Sequence, residues 1–181
     1  MKVININNKK TENNINTPKI REKIKNLKEN QDISNNIINI ISSHQEQFNL
    51  IQKLFMDEEF NEKKYLINEL KNKINSYKQQ DIKKNLHEEN NLITLNETIE
   101  KLLICKLKCY YCKKNLRIFF EKVRDNSQWT LDRINNYDEH SNSNTIICCL
   151  ECNLQRRRKN SEKFKFSKQL ATKQILINKL D

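Results

Sequence analysis

Six cysteines lie within residues 105–152, and four of them form two Cys-x-x-Cys pairs. The first pair is Cys109 and Cys112, and the second, after 36 intervening residues, is Cys149 and Cys152. Four thiolates are a ligand set with which proteins bind structural zinc in tetrahedral geometry. The pairs therefore predict a four-cysteine zinc site, with a redox dithiol and buried free cysteines as the alternatives. The two remaining cysteines are expected to pack as small apolar side chains.

A second pattern lies between and directly after the pairs. Leu131-Asp132-Arg133-Ile134 follows Trp129, Asn144 lies in the next segment, and Asn153 directly follows the last paired cysteine. Together with the cysteine pairs, these residues resemble the HNH nucleases, the treble-clef zinc members of the His-Me finger endonucleases. The likeness covers residues 104–170. This segment is similar in particular to members from large DNA viruses and phages that have Leu-Asp-Arg-Ile in place of Asp-His.

This resemblance implies an α+β fold, with a zinc knuckle, a β-hairpin and then a helix. It also implies an endonuclease that cleaves DNA phosphodiester bonds with one divalent cation, Mg²⁺ or Mn²⁺. Asp132 and Asn153 would hold this cation, because hard cations prefer oxygen ligands. Asn144 would orient the base or brace its loop. The alternatives are a turn-capping or surface acid for Asp132 and a helix cap for Asn153.

One position departs from the family pattern. The family's general base is the histidine directly after the aspartate, and here that position is Arg133. Arginine stays protonated in proteins and cannot take a proton from water, although it can contact phosphate. His140 is the nearest other histidine and could supply the base, with loop packing as its alternative role. A second hypothesis therefore stands beside the nuclease: a zinc module that binds nucleic acid and cuts weakly or not at all.

Positive charge is concentrated in the same part of the chain. Residues 101–181 contain 18 Lys or Arg and 8 Asp or Glu, whereas residues 1–100 contain 16 and 15. Such a field indicates a polyanionic partner, here DNA, with RNA as the alternative. The candidate phosphate-binding residues, whose alternative is a solvated charge run, are Arg133, Arg156, Arg157, Arg158 and Lys159.

The chain contains no glycine and 29 asparagines, which is the composition expected of an A/T-rich genome. The absence of glycine excludes the usual Rossmann fingerprint and the P-loop, because both need glycine where the backbone approaches phosphate. It also predicts that tight turns use Asn and Asp, which tolerate positive φ.

Apolar spacing predicts helices in the first half of the chain. Thr17-Pro18 is typical of a helix start, and a helical series runs from Phe60 to Tyr77. These helices are expected to pack against one another, with a coiled-coil dimerisation arm as the alternative. His44 and His87 are expected to be solvated, and no residue before 101 is expected to carry chemistry.

Three segments follow from these patterns: a disordered tail (1–16), a helical N-terminal region (17–100) and an HNH-like zinc-binding domain (101–181). The N-terminal helices are expected to orient the nuclease, to self-associate or to bind a protein partner. No stretch approaches the roughly 18–20 apolar residues of a membrane span, and the first 20 residues do not resemble a signal peptide. We therefore expect no membrane association and a reducing intracellular compartment, which for a viral member means the host cytoplasm or nucleus.

Overall fold

The computed structural model describes residues 40, 43–88, 91–120 and 124–177, with side chains up to residue 171. All of these residues lie in one compact unit that spans residues 36–181. The predicted tail and the predicted helix start at Thr17-Pro18 lie outside the described residues.

The described part is a mixture of helices and one small antiparallel sheet. This confirms the α+β prediction as far as the mixture of helix and sheet is concerned. In chain order, the elements are α1 (His44–Phe55), α2 (Lys63–Lys83), α3 (Leu95–Ile104), β1 (Trp129–Arg133), β2 (Thr145–Cys149), α4 (Leu150–Arg156) and α5 (Ser161–Ile177). Within the described ranges, no helix has the length and apolar character that a membrane span requires.

Side-chain caps define where two of the helices begin. The hydroxyl of Ser43 accepts a hydrogen bond from the backbone N–H of Glu46 at 3.2 Å and starts α1. Thr94 and Glu97 form a reciprocal capping box at the start of α3, in which each side chain accepts from the other residue's backbone N–H. Both caps satisfy amide groups that the first turn of a helix leaves without a partner.

The helix α2 confirms the amphipathic series predicted from Phe60 to Tyr77, but it begins three residues later and extends further. Its buried stripe is Leu66, Leu70, Ile74, Tyr77 and Asp81. These positions are three or four residues apart, as one face of a helix requires. The last member of an otherwise apolar stripe is thus a carboxylate.

The sheet and the turn of the first cysteine pair lie next to each other. Strands β1 and β2 pair antiparallel, with Asp132 opposite Ile146. The amide of Tyr110, inside the first cysteine pair, donates to the carbonyl of Ile147 on β2 at 3.0 Å. Helix α4 begins at Leu150, directly after β2. The two cysteine pairs are therefore held by elements that contact one another through the backbone.

The prediction that positive φ falls on Asn and Asp is only partly correct. Asp57 and Asn85 do have positive φ, but so do five other described residues: Lys106, Leu107, Lys113, Arg124 and Arg157. An L-residue in this region costs roughly 1–2 kcal/mol relative to the right-handed region. In a chain without glycine, tertiary packing and hydrogen bonding offset this cost at positions where local propensity opposes it.

One hydrophobic core joins the first helices to the sheet. It contains Leu50 and Ile51 of α1, Leu66 and Leu70 of α2, and Trp129 of β1. The same cluster includes the four paired cysteines and Phe164 of α5. The cysteine cluster is therefore packed within the main core, and α1 and α2 contribute to that core.

Candidate metal centre and basic cleft

The four paired cysteines converge on one point, as the sequence predicts. The sulfur atoms of Cys109, Cys112, Cys149 and Cys152 all lie within 4.8 Å of one another, and all four residues are buried. The Sγ atoms of Cys112 and Cys149 are 3.9 Å apart. Sulfurs about 2.3 Å from a central tetrahedral ion would be about 3.8 Å apart, so the cluster has the size of a metal site. All four cysteines are free thiols, and this arrangement could hold a metal ion.

Backbone geometry directs these sulfurs inward. Cys149 is the N-cap of α4, and its Sγ accepts the N–H of Cys152 at 3.4 Å. The Sγ of Cys109 accepts the N–H of Cys149 at 3.3 Å. Hydrogen bonds from the other three thiols lower the pKa of Cys109. Hydrogen bonds with Cys109 and Cys112 raise the pKa of Cys149 and Cys152, so ionisation of all four thiols together is opposed unless a cation is bound.

The two cysteines outside the pairs lie elsewhere. Cys105 is half-buried and its thiol donates to the carbonyl of Leu102 at 3.4 Å. Cys148 is fully buried, and burial raises the pKa of its thiol well above the usual value. Neither belongs to the group of four convergent sulfurs.

Asp132 is held by two buried donors. The guanidinium of Arg156 binds both of its carboxylate oxygens, with Nε 2.5 Å from Oδ2 and Nη2 2.7 Å from Oδ1. The phenol of Tyr111 donates to Oδ2 at 2.6 Å. Because a carboxylate oxygen can accept two hydrogen bonds, Oδ1 keeps one free acceptor position among the described residues.

Arg156 was predicted to reach phosphate, and the structure places it differently. It is only 1% exposed, and besides Asp132 it donates to the carbonyls of Arg133 and Lys159. Burial opposes its charge, but the hydrogen bonds to Asp132 raise the pKa of Arg156 overall. Its guanidinium is therefore occupied by the protein, and the exposed members of the basic run are Arg157, Arg158 and Lys159.

The two asparagines of the motif have separate positions. The amide nitrogen of Asn153 donates to the Thr130 hydroxyl and the Leu131 carbonyl, at 3.2 and 3.3 Å. Its Oδ1 has no hydrogen-bond partner among the described residues. Asn144 instead braces the hairpin loop, since it bonds both the N–H and the carbonyl of Asn135. Asn153 thus presents a free carbonyl oxygen, whereas Asn144 serves the loop.

His140 is paired with a residue that the sequence interpretation missed. Both carboxylate oxygens of Asp81 lie 2.8 Å from His140 Nδ1, and Oδ2 also accepts the His140 backbone N–H at 2.9 Å. Asp81 is fully buried and His140 is 4% exposed. The ring of Tyr77 lies against the imidazole, with centroids 4.7 Å apart. A carboxylate can only accept, so neutral His140 carries its proton on Nδ1.

This tautomer leaves Nε2 as the basic nitrogen of His140. It has no hydrogen-bond partner among the described residues. Burial lowers the pKa of His140 below its usual value, and this effect outweighs the opposite one of Asp81. The imidazole is therefore neutral near pH 7 and able to accept a proton.

Arg133 lies near Asp81, the carboxylate partner of the same histidine. Its Nη1 donates to the Asp138 carbonyl at 2.9 Å and lies 3.6 Å from Asp81 Oδ1. It is 7% exposed, so most of its side chain is enclosed. Arg133 thus contacts the carboxylate that orients His140.

Asp132, Arg133, His140 and Asn153 line one cavity of about 650 Å³, a size typical of ligand sites. We call it the basic cleft. Three of its lining residues are the metal-ligand and base candidates Asp132, His140 and Asn153. Its lining also includes five cations, which are Lys84, Arg133, Arg157, Arg158 and Lys159. Among the described residues, Asp132 is the one carboxylate that lines it, so an anionic ligand is favoured there.

The first half of the chain was expected to carry no chemistry, yet α2 supplies Asp81 and Tyr77 to this site, and Lys84 directly follows α2. The available signal was a polar residue four positions after Tyr77 on the apolar stripe of α2. His44 and His87 also differ from the expected solvated state. Both are half-buried; His44 Nε2 lies 3.1 Å from the Leu107 carbonyl oxygen, and His87 Nδ1 lies 3.5 Å from Glu139 Oε2.

No protein-family model, curated protein or solved structure matches this chain. The site is therefore interpreted from its own geometry.

Proposed function

We propose that this protein is an HNH-like endonuclease that cleaves DNA phosphodiester bonds with one divalent cation. The observation that carries the proposal is the basic cleft, where a carboxylate, a free amide oxygen and a carboxylate-paired histidine occur among cations. In this proposal the four-cysteine cluster holds a structural zinc ion, and the knuckle, hairpin and α4 form a treble clef around it. The zinc would fix β2 and α4, which carry or adjoin the cleft residues.

The residues fit a small oxygen-ligand site for Mg²⁺ or Mn²⁺. Asp132 Oδ1 keeps one acceptor position and Asn153 Oδ1 is free, and Mg²⁺ commonly takes one or two protein oxygens together with phosphate oxygens. When bound, the cation would neutralise negative charge on the phosphate and the leaving oxygen. Arg156 and Tyr111 would hold the Asp132 carboxylate in a fixed orientation.

In the proposed reaction, His140 is the general base. Its Nε2 takes a proton from a water molecule, and the resulting hydroxide attacks phosphorus as the P–O bond on the opposite side breaks. The leaving oxygen takes a proton from solvent. Asp81 stabilises the imidazolium that forms and keeps the ring in position. A positioned base of this kind contributes about 10²–10⁴-fold to rate.

One observation favours a second function, that of a non-catalytic zinc module that binds nucleic acid. The carboxylate of Asp132 already accepts three hydrogen bonds, two of them from a cation, and this reduces its affinity for a metal. Both functions require phosphate binding by the cleft cations Lys84, Arg157, Arg158 and Lys159. If two to four of them contact phosphates, the logarithm of DNA affinity falls with the logarithm of salt concentration with a slope of about −2 to −4.

A plasmid-nicking assay separates the two functions. Zinc-loaded protein is incubated with supercoiled DNA in Mg²⁺ or Mn²⁺, and the variants are His140→Gln, Asn153→Ala and the control His44→Gln. We expect nicking by the wild type and the control, and at least a roughly 100-fold lower rate for the two cleft variants. DNA binding and circular dichroism verify that each variant is folded.

Two results would contradict the nuclease. Wild-type protein that binds DNA but cuts no substrate in either metal would leave the binding module as the function. Nicking that survives both His140→Gln and Asn153→Ala would assign the activity to a contaminant or to another site.

A further inference from the structure

A short loop on the wall of the basic cleft presents an aromatic ring to solvent. The loop joins β1 to β2, and within it Tyr137 is 78% exposed and lines the cleft. Ile134, at the start of the same loop, is 45% exposed and lines the cleft as well. Two large apolar side chains thus lie beside the phosphate-binding cations.

Hydrogen bonds fix this loop at several points. The N–H of Tyr137 donates to Asn135 Oδ1 at 3.2 Å, and the N–H of Asn135 donates to Asn144 Oδ1 at 2.8 Å. Arg133 binds the carbonyl of Asp138 from inside the protein. The loop backbone on both sides of Tyr137 is therefore held while its ring stays in water.

A second group of contacts joins the loop to the basic run. Asn136 Oδ1 accepts from Arg156 Nη2 at 3.0 Å, and Asn136 Nδ2 donates to the carbonyl of Arg157 at 3.3 Å. The backbone of Tyr137 is thus fixed relative to the segment that carries the exposed cations. Binding at this position therefore costs the conformational entropy of the side chain but little of the loop backbone.

We propose that Tyr137 is a stacking site for a nucleobase that has left the double helix next to the phosphate in the basic cleft. This rests on the proposed function, and it names the substrate class as DNA with an unpaired base beside the bound phosphate. Every base has a π-face, so stacking on Tyr137 selects for an exposed base and not for a sequence. In intact duplex DNA, the same contact requires unstacking of a base step, which costs free energy.

The test uses a duplex of about 20 base pairs with one bulged 2-aminopurine, a fluorescent adenine analogue that is quenched by stacking. Its fully paired counterpart is the reference, and binding is measured without added Mg²⁺. Wild-type protein is expected to quench the bulged probe and to bind it about 5- to 150-fold more tightly than the paired duplex. Tyr137→Ala is expected to abolish both effects with little change in affinity for paired DNA, and Tyr137→Phe to retain them.

Phe166→Ala is the matched control, because Phe166 is a similarly exposed aromatic residue (66%) that is not among the cleft-lining residues. Equal affinity of the wild type for bulged and paired DNA, or unchanged quenching in Tyr137→Ala, would overturn the stacking site. A stronger response to a matching bulged RNA would overturn the choice of DNA. Cleavage of the same duplexes in Mg²⁺ is scored separately, so a lack of cleavage overturns the proposed nuclease and not the stacking site. Quenching that is lost in Tyr137→Ala supports the site even where nothing is cut.

Discussion

Replacing Asp81 with asparagine tests whether His140 is the base. The substitution exchanges one carboxylate oxygen for an amide nitrogen in the buried Asp81–His140 pair and leaves its size almost unchanged. The backbone N–H of His140 needs an acceptor, and the amide oxygen of the new side chain can still provide it. The amide nitrogen then faces His140 Nδ1, which must become an acceptor. The tautomer with the proton on Nε2 is then favoured, so only a small fraction of His140 can take a proton from water there.

The expected loss is most of the base's contribution, about 10²–10⁴-fold in kcat. Affinity for DNA is expected to change little, since Asp81 is fully buried and is not among the residues that line the basic cleft. The lost charge-assisted hydrogen bonds are expected to destabilise the fold by about 1–3 kcal/mol. A thermal melt therefore accompanies each rate measurement.

The pH profile distinguishes a positioning role from a general loss of structure. The wild-type rate falls as the pH drops through the pKa of His140, which burial lowers and Asp81 raises. Arg133 and Lys84 also lower this pKa, while Tyr77 packs on the ring. Removing the charge of Asp81 therefore moves the acid limb of the residual activity to lower pH.

The assay is single-turnover cleavage between about pH 5 and pH 9, with Asp57→Asn as the matched control. Asp57 is an exposed aspartate paired with Lys63, and its positive φ is one that asparagine tolerates. A folded Asp81→Asn variant with an unchanged rate and acid limb would refute the assignment of His140 as the base.

Two further predictions concern stability. Metal analysis is expected to give one zinc ion per chain. The double variant Cys149→Ser, Cys152→Ser is expected to lose both the zinc and the cooperative thermal melt, because metal binding and folding are coupled, whereas the control Cys105→Ser keeps both. A zinc-free wild type with a cooperative melt would contradict the zinc site. Lys113→Gly is expected to raise the melting temperature by about 2–4 °C, because glycine tolerates the positive φ at this position. An unchanged or lower melting temperature would contradict this reasoning.

Features encoded by short spacing could be predicted from the sequence. Within each Cys-x-x-Cys pair a local turn directs both sulfurs to one side, and the spacing pattern itself indicates that the two pairs share one ion. The four sulfurs do converge. The antiparallel pairing that brings β1 next to β2 also follows from a hairpin whose strands are close in sequence. The assignment of Asp132 and Asn153 to a catalytic cation stays a prediction.

Features that depend on distant residues could not be predicted in this way. Asp81 and His140 are 59 positions apart, and nothing local to either residue indicates their hydrogen bonds. Arg156 was one of four adjacent cations, and the charge run does not indicate which one turns inward. Its position three residues after Asn153 on α4 places both side chains on the face that contacts β1.

The basic cleft therefore depends on both halves of the chain. Strand β1, the hairpin loop, α4 and the segment that directly follows α4 supply Asp132, His140, Asn153 and four of the five lining cations. Helix α2 supplies the carboxylate that orients the histidine. A polar group inside an apolar stripe costs stability unless it is paired, and Asp81 is paired with His140 and lies near Arg133. The pairing allows α2 to bury its full stripe and at the same time to fix the tautomer of His140. Arg133 fits this arrangement, because its guanidinium lies 3.6 Å from the carboxylate that holds a histidine of the loop.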